Sequence, residues 1–124
     1  MEDVLSAKIV QELTAPIIEK GFIFTYFYQK GGDSSCVYVY RFQKGKNFLD
    51  WREVSGGEDI NIVVSVDGEY RFPSLKTLFP KAYRAFKRKH LFKKPSVAER
   101  RSFVAACLLA ELNSEKADFF GIRF

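Results

Sequence analysis

Ile60-Asn61-Ile62-Val63-Val64-Ser65-Val66 is the stretch whose reading decides the fold. Strand side chains point alternately to two faces, so Ile60, Ile62, Val64 and Val66 share one side and Asn61, Val63 and Ser65 the other. Four β-branched residues on one face mark a half-buried strand. Asp67-Gly68 comes next, a dipeptide suited to a two-residue hairpin, and Glu69-Tyr70-Arg71-Phe72 can fold back along the run. The run reads as the middle of an antiparallel sheet.

Upstream, the same grammar repeats. Phe48-Leu49-Asp50-Trp51-Arg52-Glu53-Val54 reads as a strand bounded by Gly45-Lys46-Asn47 and Gly56-Gly57. Before it, Cys36-Val37-Tyr38-Val39-Tyr40-Arg41-Phe42 reads as another, with Cys36, Tyr38, Tyr40 and Phe42 on one face and Val37 and Val39 on the other. Both faces are apolar, so coverage on both sides is expected there. Gly31-Gly32-Asp33-Ser34 is a turn, and Phe22 to Tyr28 the strand before it. Turn signals this closely spaced predict a meander of hairpins and not βαβ crossovers.

The ends read as helical. Leu5, Ile9, Leu13 and Ile17 form one stripe over residues 3–20, Pro16 should kink the last turn, and Gly21 stands at the C-cap position. Ser74 can cap a short turn, and Pro80 suits the first position of a helix running to about His90. Its apolar stripe is Phe79, Ala82, Tyr83, Phe86 and His90. After Pro95, Ser96 and Glu99 have the spacing of a capping box that opens a helix to about Leu112. Phe120, Ile122 and Phe124 alternate like a last strand. The expectation is one α+β domain over residues 1–124. It has an antiparallel meander sheet of about five strands, one N-terminal helix, two C-terminal helices and a short C-terminal strand, with the helices covering one sheet face.

With 124 residues, the chain should bury roughly two-thirds of the surface it exposes unfolded, enough for a core without staples. Twenty residues are Phe, Tyr or Trp, which is either an aromatic-rich core or a surplus displayed at a patch, pocket or interface. Tyr38, Tyr40, Phe42 and Trp51 are the candidate interface rings. Cys36 and Cys107 read as free thiols of a reducing compartment. The acidic start Met1-Glu2-Asp3-Val4 is not that of a signal peptide, and no apolar run approaches a bilayer span, so a soluble, cytoplasmic protein is expected.

Charge is unevenly laid out. Residues 76–101 hold ten of the twenty Lys and Arg against one acid, Glu99, a net +9. The other ten bases face fourteen acids, a net −4. Lys81, Arg84, Lys87, Arg88, Lys93 and Lys94 are therefore the candidate contacts to nucleic acid or to an acidic partner, the alternative being a merely solvated helix face. No zinc-finger spacing, RNP-type strand or helix-turn-helix pairing accompanies them.

No catalytic, cofactor or metal site is predicted. His90 is the single histidine, without a second ligand to share a metal, and a structural role is expected for it. Asp50 with Glu69-Tyr70-Arg71 only loosely imitates a metal-dependent nuclease, and an arginine stands where a proton-shuttling lysine would be wanted. The glycine pairs lack the P-loop tail.

The leading helix into Lys20-Gly21-Phe22, then Tyr40-Arg41-Phe42-Gln43-Lys44, then Asp59-Ile60-Asn61-Ile62-Val63-Val64, resembles a group of small bacterial domains of unknown function. The likeness covers the first half of the chain and implies a small bacterial α+β protein without adding a mechanism. The functional expectation is a non-enzymatic interaction module that uses an aromatic sheet surface and a basic helix to bind a protein partner or a second copy of itself. Nucleic-acid binding by residues 76–101 is the alternative, and a metal-dependent hydrolase the third.

Overall fold

Five strands succeed one another across one sheet in chain order, each antiparallel to the next: β1 (Ile23–Lys30), β2 (Cys36–Lys44), β3 (Asn47–Val54), β4 (Asp59–Val66) and β5 (Glu69–Arg71). The computed structural model describes residues 2–30, 36–116 and 118–124; the expected turn at Gly31-Gly32-Asp33-Ser34 lies outside them. The run 60–66 belongs to β4, an inner strand, whereas the middle of the sheet is β3. Asp67 and Gly68 both take positive φ, 54° and 82°, the left-handed pair that matches strand twist in a two-residue hairpin. The Asn47 side-chain oxygen accepts a hydrogen bond from the Asp67 amide at 2.8 Å and pins that turn to β3.

Register decides the two faces. Tyr26, Tyr40, Trp51 and Ile62 stand in one row across four strands, with Phe24, Phe42, Leu49 and Val64 in the next. Helices cover this face: α1 (Glu2–Leu13), α2 (Ala15–Glu19) and α5 (Val97–Leu112). The core joins Ala7, Val10 and Ile17 to Tyr40, Phe42, Leu49, Trp51, Ile62 and Val64, and these to Val104, Leu108 and Leu112. Each enclosed ring removes about 150–250 Å² from water, on the order of 4–6 kcal/mol.

The N-terminal helix departs from expectation. Pro16 has no amide to donate and its ring crowds the preceding turn, so the helix ends at Leu13 and restarts at Ala15. The Thr14 hydroxyl fills the break by donating to the Val10 carbonyl at 2.7 Å. The buried face becomes Ala7, Val10, Thr14 and Ile17, while Leu5 and Ile9 are exposed.

The other end matches the predicted punctuation more closely. Ser96 and Glu99 form the reciprocal capping box of α5, at 3.0 and 3.1 Å. Arg101, one turn in, reaches the sheet and donates two hydrogen bonds of 2.8 Å to the Glu53 carboxylate, which also accepts from the Trp51 indole at 3.1 Å. Gly57, at φ 95°, lets the β3–β4 turn lie against α5; a Cβ there would come within 2.7 Å of a Val97 methyl. At the C-terminus a small hairpin, β6 (Asp118–Phe119) and β7 (Ile122–Arg123), replaces the single alternating strand expected. The turn at Phe120-Gly121 puts Phe119 and Ile122 in the core, and Phe124 is exposed.

No helix among the described residues is long and apolar enough to cross a membrane. The chain exposes 7799 Å², about 1,000 Å² more than the scaling law gives for its mass. The segment after β5 contributes to that excess.

Candidate functional site

β5 stops at Arg71 because Phe72-Pro73 ends the pairing: proline has no amide for the ladder. Ser74 then caps the four-residue helix α3 (Leu75–Leu78), accepting from the Thr77 amide at 3.3 Å, and Pro80 opens α4 (Pro80–Lys89). β4 is consequently paired with β5 only from Val64 to Val66. Its other half, Asp59 to Val63, has β3 on one side and no strand on the other among the described residues.

α4 stands off from the sheet. None of its residues is buried. Two of its rings meet Phe103 of α5, Phe86 stacked on it at 4.5 Å and Tyr83 edge-on at 6.3 Å. At its C-terminus His90 lies 4.7 Å from the Phe86 ring, and its Nε2 is 3.5 Å from a Glu99 oxygen. Between α4 and the bare half of β4 runs a groove of about 1060 Å³, floored by Ile60 and Ile62 and walled by Phe72, Tyr83 and Phe86.

Cations outnumber acids on the groove lining: Arg52, Lys76, Lys87, Lys94 and Arg100 against Glu58 and Asp59. Lys94 pairs with Glu58 at 3.7 Å, and Lys76 and Lys87 each lie 5.8 Å from the Tyr83 ring. Of the residues predicted as cationic contacts, Lys87 and Lys94 line the groove. Lys81, Arg84 and Arg88 share the opposite side of α4 by helical spacing. Lys93 lies in the loop beyond α4, and all six are exposed. Arg52, Arg100 and the strand edge escape sequence reasoning. The signal available was Pro73, which forbids β5 from running the length of β4.

The four candidate interface rings are corrected by the structure. Tyr40, Phe42 and Trp51 are enclosed beneath α5 and α1, and Tyr38 is half-buried against the Tyr28 ring at 5.3 Å. The reason is that the helices settle on the face carrying the larger rings. The Tyr40 oxygen has no hydrogen-bond partner within bonding distance and angle among the described residues, with Ser6 the side chain that comes nearest to supplying one. Burial, and next the Glu53 carboxylate, push this phenol up to about 12. Burial likewise pushes the Cys107 thiol up to about 11. The exposed rings lie elsewhere: Tyr26 and Phe27 on β1, Tyr70 and Phe72 at the end of the meander, and Phe92 beyond α4.

The sheet face turned away from the helices has its own cluster, and Val37, Val39 and Val63 are buried on it, in keeping with coverage on both sides of β2. Arg41 donates two hydrogen bonds to Asp50, at 2.8 and 2.9 Å, and its guanidinium lies 3.8 Å from the Phe48 ring centre and 5.1 Å from that of Phe27. Asp50 and Glu69 therefore do not meet: register puts Asp50 on the face away from the helices and Glu69 on the helix-covered one. Among the described residues no three His, Cys, Asp or Glu side chains converge as metal ligands.

No family model, curated protein or solved structure matches this chain, so the bacterial resemblance rests on its short motifs alone.

Proposed function

We propose that the protein is a non-enzymatic interaction module that holds an acidic protein partner against the cationic side of residues 76–101, in a reducing, cytoplasmic setting. One observation carries this reading. Of the ten Lys and Arg in that segment, eight have no carboxylate within 4.0 Å among the described residues; Lys94 and Arg101 are the paired ones. Charge that is not neutralised internally is available to steer and hold an anionic surface. A protein is favoured over nucleic acid because the groove floor beside these cations is aliphatic, Ile60 and Ile62, and suits apolar side chains.

The test is titration with poly-glutamate and with single- and double-stranded DNA at two ionic strengths. Poly-glutamate should bind at low salt, weaken as salt rises, and lose its hold on the Arg84→Glu/Lys87→Glu/Arg88→Glu variant. Tighter binding of DNA with a steep salt dependence would replace this reading by phosphate recognition through Lys81, Arg84, Lys87, Arg88, Lys93 and Lys94. No binding of any polyanion at low salt would remove both.

A second reading, self-association, is favoured by β1. It is an edge strand paired only with β2 among the described residues, and it exposes Ile23, Tyr26 and Phe27 with no charge before Lys30. Edges of this kind invite pairing with another chain. Light scattering should show mass rising with concentration, and Thr25→Lys should abolish the rise; a monomer at every concentration ends the idea.

A further inference from the structure

The groove beside β4 offers more than charge. Asp67-Gly68 closes a two-residue hairpin, so Val66 and Glu69 exchange both backbone hydrogen bonds, as do Val64 and Arg71 two residues further on. Continuing that alternation along β4, Ile62 and Ile60 aim their N–H and C=O groups to the same side. There the ladder has stopped, and the groove begins. Unpaired strand groups facing an open trough are a template for an incoming strand. Resting on the acidic-partner reading, we propose that the groove is a strand-addition site: an extended, acidic peptide lies between β4 and α4 and pairs with Ile60 and Ile62.

Three features fit an extended chain. The bare half of β4 spans five residues, about 17 Å of strand. Its far wall is a helix that presents two rings, Tyr83 and Phe86, to the groove. The surplus of lining cations, with Lys76, Lys87 and Arg100 free of carboxylates among the described residues, complements acids placed at alternate positions of the peptide. Backbone bonds would supply register and affinity, and the cations the preference for acids. Nucleic acid has no counterpart to the first of these, since it presents no strand-spaced alternation of donors and acceptors.

The experiment uses the full chain, isotope-labelled, and a capped synthetic hexapeptide of alternating Glu and Val as the probe. Backbone amide signals are followed at low ionic strength and millimolar peptide. The expected result is that the Ile60 and Ile62 amides shift and gain protection from exchange. An analogue N-methylated at alternate residues, with charge retained and strand donors removed, should bind about tenfold more weakly or worse. Ile60→Pro removes one outward donor at a position where the ladder to β3 does not use it, and should lose binding similarly. If that variant misfolds, the N-methylated analogue still decides on the native protein. Equal binding of both peptides, with shifts confined to α4, overturns strand addition and leaves the acidic-partner reading standing. Absence of binding by the peptide and by poly-glutamate overturns both.

Discussion

Asp50 and Glu53 are three residues apart on β3, point to opposite faces, and each receives a two-pronged hydrogen bond from an arginine. Their partners differ in kind. Arg41 comes from the neighbouring strand, so that pair closes within one hairpin and stays partly in water beside Phe27 and Phe48. Arg101 comes from α5, 48 residues along the chain, and the carboxylate it meets is 2% exposed. In both pairs the hydrogen bonds to the carboxylate raise the guanidinium above arginine's ordinary pKa. The same chemistry decorates a local contact on one face and fixes a distant one on the other. The difference is that only the second joins elements that no local rule would bring together.

The sharpest way to break this comparison is to remove each arginine in turn. Arg101→Met leaves Glu53 buried with only the Trp51 indole as donor among the described residues, and should cost about 3–5 kcal/mol in urea unfolding. Adding Glu53→Gln should recover part of it, because no charge is then stranded. The Tyr40 phenol, on the same covered face, gives the next effect. Its folded pKa of about 12 exceeds the ordinary 10.0, so the stability it protects is whole below pH 10 and declines as pH rises from 10 towards 12. The loss should reach about 2–3 kcal/mol, and pH-dependent unfolding would measure it. Arg41→Ala, on the face away from the helices where the arginine keeps part of its hydration, should cost about 1–2 kcal/mol by the same urea measurement. An equal or larger loss there than for Arg101→Met would dissolve the distinction between the faces. The smallest effect concerns Glu99, also on α5 but only partly buried. Its bonds with the Ser96 backbone and hydroxyl hold its carboxyl below the usual glutamate value, with His90 and Lys89 adding to this. Its contribution is present above that usual value and is lost as pH falls through the lowered one. Circular dichroism should show helix content dropping only at the acid end, and Ser96→Ala should flatten the drop.

The features legible in the sequence are local ones. The β-branched run of β4, the Asp67-Gly68 turn and the Ser96–Glu99 box declare themselves within a few residues, and five meander strands emerge from turn spacing. The choice of covered face cannot be read that way. Both sides of β2 are apolar, and the decision falls to α5, whose Arg101 must find Glu53. Local pattern accordingly offers Tyr40, Phe42 and Trp51 to a surface when they belong inside. The stripe of the first helix fails for a related reason: Pro16 is plain in the sequence, but the rotation of the buried face that its break allows depends on packing. The cationic segment is legible as composition. Its grouping into a groove wall on one side of α4 and a solvent-facing row on the other needs the position of Phe103.

Because the strands are laid down in the order of the chain, the meander needs nothing beyond Arg71 to complete its backbone pairing. The helix that roofs Trp51 and Tyr40 begins at Val97. During synthesis a stage therefore exists in which the sheet can zip while its ring-bearing side has only α1 and α2 to cover it. Over that interval the nascent protein carries its stickiest surface half roofed, open to chaperone capture or to pairing with a sister polypeptide on the same message until α5 emerges.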